Sequence, residues 1–208
     1  MQVSHEILYG IKSFYDHKEG ISLRKVNETD LPDLMNLKNE SWFGTVNTVC
    51  LNIHDQRKWF EKISNDSSSM YFICSSDLGR GETDNIGLYG FTDIDPINQS
   101  CSFTHSLYER FRGQGLGKKT LYAGIDMTFE VFNMRRIETW ILENNQAEIA
   151  VAKSVGFVGE GSKRKAIYKC NEYLDCNLYG LLRDEWQATD RVKDYKGLCN
   201  TSYMPKTR

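Results

Sequence analysis

Between positions 110 and 120 the chain reads Arg-Phe-Arg-Gly-Gln-Gly-Leu-Gly-Lys-Lys-Thr. Three glycines, Gly113, Gly115 and Gly117, allow a tight turn that points several backbone N–H groups outward with nothing bulky before them. Leu121, Ile125, Phe129 and Phe132 then recur on one face, which predicts a long helix over 116–132. The loop amides therefore share the partial positive charge of a helix N-terminus, and Arg110, Arg112, Lys118 and Lys119 add full charges. This combination is an anion seat, most naturally for a pyrophosphate; the plainer alternative is a strand-to-helix turn with exposed charges. Two commoner phosphate loops do not fit. A Walker loop needs Ser or Thr where Lys119 stands and Gly where Arg112 stands, and the dinucleotide fingerprint needs a third glycine where Lys118 stands. What the segment does satisfy is R-x-x-G-x-G, at Arg112, Gly115 and Gly117.

The basic cluster is local. Over its 208 residues the chain carries 26 Lys+Arg against 28 Asp+Glu, a formal charge of −2, which argues against direct nucleic-acid binding. An aromatic content of 12% excludes a wholly disordered chain. The longest uncharged stretch, 41–53, is too short and polar to span a bilayer, and the first residues lack a signal-peptide pattern. The six cysteines (50, 74, 101, 170, 176, 199) contain no C-x-x-C pair and read as reduced thiols, so a cytoplasmic location, no membrane and no metal are expected.

The elements that must position the loop follow from periodicity. Residues 21–26 alternate as a first strand, Thr29-Asp30 and Pro32 open a helix, and His54-Asp55 open a second. Strands are expected at 70–75, 86–94 and 101–108, with a turn at 78–85. After the long helix come a strand at 136–142, a helix at 147–155 closed by Gly156, and a hairpin of 157–173 and 175–186 turning at Asn171. The fold class is α+β: one domain over 20–186 with a mixed, mostly antiparallel sheet of about seven strands and about four helices. Residues 1–19 read as an N-terminal extension and 187–208 as a polar C-terminal tail.

The loop at Arg112–Gly117 resembles the coenzyme A pyrophosphate loop of the GNAT superfamily of N-acetyltransferases. Asn145, Glu148-Ile149 and Gly156-Phe157 resemble that family's Asn-to-Gly-Phe helix. Gly156-Phe157 through Glu160-Gly161 to Arg164, and Leu181-Leu182-Arg183-Asp184-Glu185-Trp186, are similar to the RimJ/RimL-type branch. The resemblance runs from about Ile21 to Trp186. It implies acetyl-CoA as co-substrate, its pyrophosphate on the amides of Gly113 to Gly117 with Gln114, Leu116 and Lys118 nearby. It further implies its pantetheine arm between the strands at 101–108 and 136–142, pairing near Leu107, with Asn145 bonding the arm or its waters. A sheet splayed at that point leaves unpaired N–H and C=O groups that an amide-bearing ligand completes.

The catalytic positions depart from the family. Ala152 stands where many members place a Tyr as acid for the departing thiolate, Glu148 where a small residue is usual, and Ser102 where the branch often has a carboxylate. Candidates are then Tyr108 as acid and Glu138 or Glu148 as base through water. His105 has a suitable side chain for base work but shares a face with Phe103 and Leu107, so alternation favours a packed histidine. The implied reaction is direct attack of a neutral amine on the thioester. At pH 7 roughly a tenth of an α-amine is neutral but under about a thousandth of a lysine amine, so a site without a strong base suits an α-amine or amino sugar. Trp42, Phe43 and Trp59 are candidate walls for the acceptor, and Lys163-Arg164-Lys165 a candidate contact for an acidic one. The expected function is N-acetylation of a protein N-terminus; an amino-sugar or polyamine acceptor, and a non-catalytic acyl-CoA-binding module, are the alternatives. A homodimer is compatible with either enzyme.

Overall fold

A computed structural model describes residues 12–45, 51–78 and 83–193. Cys50, Cys199, the centre of the turn expected at 78–85 and most of both expected end segments lie outside these residues. Eight strands form one sheet: β1 (Ser13–Asp16), β2 (Ile21–Lys25), β3 (Met70–Asp77), β4 (Thr83–Asp95), β5 (Ser100–Leu107), β6 (Arg136–Leu142), β7 (Val158–Lys169) and β8 (Glu172–Leu182). Their order is β1-β2-β3-β4-β5-β6-β8-β7, antiparallel except for β5 beside β6. The helices are α1 (Leu31–Ser41), α2 (Ile53–Ser64), α3 (Leu116–Asp126), α4 (Gln146–Ser154) and the short α5 (Arg183–Gln187) and α6 (Asp190–Lys193). Among the described residues no helix is long and apolar enough to cross a membrane.

Local chemistry fixes the starts of these elements. The Asn52 side chain accepts from the backbone of His54 and Asp55 while Asp55 returns a bond to Asn52, which opens α2. Asn27 and Asp30 do the same before α1, whose first turn holds Pro32. At the β7–β8 turn both Cys170 and Asn171 are left-handed, as a two-residue hairpin of this twist requires.

Four boundaries differ from those the sequence suggests, the first being β4, which begins at Thr83, inside the turn expected at 78–85. Strand β1 lies inside the segment read as an extension and pairs with β2. The long helix turns π-helical over Met127–Val131, because its apolar spacing continues while its hydrogen bonding widens. The last strand stops at Leu182, and Arg183–Gln187 form a helical turn that buries Trp186 against Tyr122 and Phe129. One core joins the sheet to α3 and α4, with Tyr89, Phe91, Phe103, Ile125 and Phe129 all buried.

Candidate active site

The glycine loop leaves β5 through one 3-10 turn, Glu109–Phe111, and enters α3. Gly113 (φ +72°) and Gly115 (φ +77°) are both left-handed, and a Cβ on either would meet nothing within 4 Å, so the loop is open on its outer side. Gly115 is the N-cap of α3, and the first N–H groups of a helix have no intrahelical acceptor. Side chains brace this shape from within. Arg112 donates through Nε to the Leu107 carbonyl (3.0 Å) and through Nη2 to Ser41 Oγ (3.0 Å), and Gln114 donates to the Arg110 carbonyl (2.7 Å). Arg110 lies over the Phe111 ring and Lys118 over Tyr122. Two nitrogens of Arg112, expected to face an anion, are thus engaged in bracing the loop.

Beside this loop the sheet opens. β5 and β6 pair only over Ser100–Ser102 with Arg136–Glu138. Thr139 Oγ1 donates to the Phe103 carbonyl (3.3 Å) at the fork. Beyond it, Thr104–Leu107 pairs with β4 alone and Trp140–Leu142 with β8 alone. The backbone groups that face one another across the fork are free of sheet pairing, the condition for an extended amide-bearing chain to bind there. Asn145 and Leu107 flank the opening. The Asn145 side chain caps α4 by accepting from Glu148 N (3.2 Å) and donates to the Gly44 carbonyl (3.0 Å). A Cβ on Gly44 would stand 2.9 Å from Asn145 Nδ2, so a larger residue there would displace that amide.

Inside the fork lies a group that alternation alone had assigned to packing. The His105 side chain is only 3% exposed, its Nε2 2.7 Å from Thr120 Oγ1 on α3 and its Nδ1 3.4 Å from Glu148 Oε1 on α4. That second distance suits charge pairing, but the atoms are not aligned for a hydrogen bond. Nothing local in the sequence marks Thr120, a threonine within the apolar stripe of a helix, as the partner of this histidine.

The remaining candidates are placed elsewhere. Tyr108 is buried on the α1 side among the charges of Asp33, Arg110 and Glu40, and burial pushes its phenol up to about 12. Glu138 is held by Arg136 (2.9 Å), which also binds Glu160, so it belongs to an ion-pair network on the sheet surface. Its hydrogen bonds with Arg136 hold the Glu160 carboxyl below its usual range. Ser102 is buried beside Glu138 in the β5–β6 register, and Ala152 is fully buried. Phe43 is exposed, Trp42 packs edge-on to it, and Trp59 lies beneath Lys38 and against Tyr71. Lys163 stacks on Trp140. The Lys169 ammonium, at the hairpin tip, donates to the carbonyls of Trp42, Phe43 and Thr45 and so joins the hairpin to the turn after α1. Where β5 ends and the fork opens, Asp33, Glu40 and Glu109 are exposed, with Glu109 N donating to Glu40.

Comparison with known proteins places this geometry. Residues 21–158 match the family profile described as "Acetyltransferase (GNAT) domain". The ribosomal-protein-serine acetyltransferase of Escherichia coli is 30% identical over 103 residues, 50% of this chain and 58% of that protein. The spermidine N(1)-acetyltransferase of Vibrio cholerae is 20% identical over 171 residues, 80% of this chain and 95% of that protein. A crystal structure of spermidine N-acetyltransferase from Vibrio cholerae in complex with CoA and spermine superimposes with a TM-score of 0.74 at 19% identity, over 80% of this chain and 98% of that one.

Proposed function

The chain belongs to the GNAT family and is an acetyl-CoA-dependent N-acetyltransferase, and from that premise we propose that its acceptor is a small cationic primary amine of the polyamine class. The observation that carries the site is the fork between β5 and β6 beside the open amides of Gly113–Lys118. In this reading those amides, with Lys118, hold the pyrophosphate. Leu107 and the unpaired edge of β6 pair with the pantetheine arm, and Asn145 keeps the opening in shape.

Acetyl-CoA supplies an activated thioester carbonyl. The protein holds it at the fork, brings the amine in from the α1 side and offers backbone N–H groups to the developing oxyanion. The exposed carboxylates Asp33, Glu40 and Glu109, where the fork opens, favour a cationic acceptor. The similarity to spermidine acetyltransferases runs through most of both chains, which supports the same reading.

A protein N-terminal α-amine, in the manner of the RimJ/RimL-type branch, is the second reading. Its support is the higher identity, over a shorter region, to the ribosomal-protein-serine acetyltransferase. Release of free thiol from acetyl-CoA, measured with spermidine, N-terminal peptides and nucleotide-linked amino sugars, decides between them. A kcat/KM for spermidine at least tenfold above the others is expected, and a preference for peptides establishes the second reading instead.

A further inference from the structure

We propose that Glu148 is the proton-transfer group of this site, paired with His105 behind it as a positioning residue and with Thr120 as that ring's hydrogen-bond rotor; this rests on the acetyl-transfer reading above. The pair spans the fork. His105 lies in the stretch of β5 that β6 no longer pairs, and Glu148 lies in the first turn of the helix that follows β6. Its imidazole backs directly onto the glycine loop, since a Cβ on Gly117 would stand 3.8 Å from His105 Cε1.

The protons can be counted. A threonine hydroxyl has one to give. Thr120 Oγ1 is 2.7 Å from His105 Nε2, 2.9 Å from the Leu116 carbonyl and 3.0 Å from the Gly117 carbonyl. Donating to Nε2, it fixes the ring proton on Nδ1; turned to the helix carbonyls, it accepts from a protonated Nε2. His105 Nδ1 is buried without a hydrogen bond, and Glu148 Oε1 faces it at 3.4 Å. A ring proton on Nδ1 is the electrostatically favoured arrangement beside that carboxylate. Rotating one hydroxyl therefore satisfies Nε2 in either ring tautomer.

The Glu148 side chain is 20% exposed against 3% for His105, so the carboxylate is the end of the pair that reaches solvent. Tyr89 of β4 also faces the imidazole, with ring centroids 6.2 Å apart. Burial holds its phenol well above the ordinary range and hence neutral. From α3 the ring meets Thr120.

In the reaction Glu148 accepts the proton shed by the attacking nitrogen of the neutral amine as its C–N bond forms and returns it to sulfur as the C–S bond breaks, while His105 keeps its own ring proton. Amine and thioester become amide and thiol, and the pair ends as it began. Glu148 thus supplies what Ala152 cannot, while His105 and Thr120 are positioning residues.

Two measurements test this. The chain has four histidines, so nitrogen-15 imidazole spectra of the ligand-free protein, with His105→Gln to identify the signal, read the ring directly. We expect Nδ1 to carry a proton from pH 6 to 8. Glu148→Gln is expected to lower kcat about 100-fold and flatten its pH dependence while acetyl-CoA affinity stays within about twofold. Thr120→Val, close in volume, shifts the pH profile, and Thr120→Ser restores it. A bare Nδ1 across that range, or a Glu148→Gln enzyme with wild-type kcat and pH profile, overturns the pair. Absence of thiol release by the wild type with every amine overturns the acetyl-transfer reading and this proposal with it, whatever the ring spectrum shows.

Discussion

Asn145 performs two jobs with one amide, and the two can be separated. Its oxygen caps α4 and its nitrogen ties the Gly44 carbonyl to the mouth of the fork. Asn145→Ala is expected to cost about 1–2 kcal/mol, as loss of an N-cap does, while Asn145→Asp keeps the cap and recovers most of that stability in thermal unfolding. Acetyl-CoA affinity falls in both variants, because both release the turn at Gly44. A destabilised Asp variant with full affinity would contradict this division. At this scale the spacing of the sequence located the glycines, since a left-handed turn demands particular residue types, whereas Asn145 was marked only by its resemblance to the GNAT helix motif. Thr120 was not legible, because a threonine in an apolar helical stripe looks the same whether it packs or bonds. Arg112 was legible as a charge, but nothing local foretold that the Leu107 carbonyl and Ser41 would claim it.

At the scale of elements, α1 and α2 meet through a buried cation. Lys38 lies 3.5 Å from the centroid of Trp59, and burial lowers its pKa to about 8. Between pH 8 and 10 the unfolded chain holds the Lys38 proton more tightly than the folded one, so this group makes the protein more stable as pH rises through that window. Stability measured by urea unfolding at pH 8 and pH 10 should rise less in Lys38→Met than in the wild type. Equal changes would mean that the ammonium is solvated. Period-2 and period-3.6 patterns revealed most strands and the four main helices. They missed β1, four residues with one buried side chain, because so short a strand carries no pattern of its own. They also ran through the π turn at Met127–Val131, whose carbonyl at Phe129 is taken by Arg183 from a distant part of the chain.

Over the whole molecule the sheet behaves as two parts, β1–β5 and β6-β8-β7, joined by three residue pairs at the foot of the fork. The ends of the described chain brace the first part. Arg191 pairs with Asp16 and Asp126 (both 2.7 Å) and with Glu19, binding α6 to β1 and to the end of α3. The Asp16 and Asp126 side chains are 0% and 1% exposed, so Arg191→Ala strips two buried carboxylates of their guanidinium. A loss of about 3–5 kcal/mol in denaturant unfolding is expected; a loss below about 1 kcal/mol would show that α6 is not part of the folded unit. The acetyltransferase domain we infer thus draws on residues outside 20–186 for its stability. In the proposed site the fork and the glycine loop together hold acetyl-CoA. Calorimetric titration of acetyl-CoA into the wild type and into Gly115→Glu tests this most directly, because that substitution strains a left-handed residue and sets a carboxylate among the loop amides. Saturable binding by the wild type, weakened at least about tenfold, or about 1.4 kcal/mol, in the variant is the predicted result; equal affinity in the two proteins would contradict it.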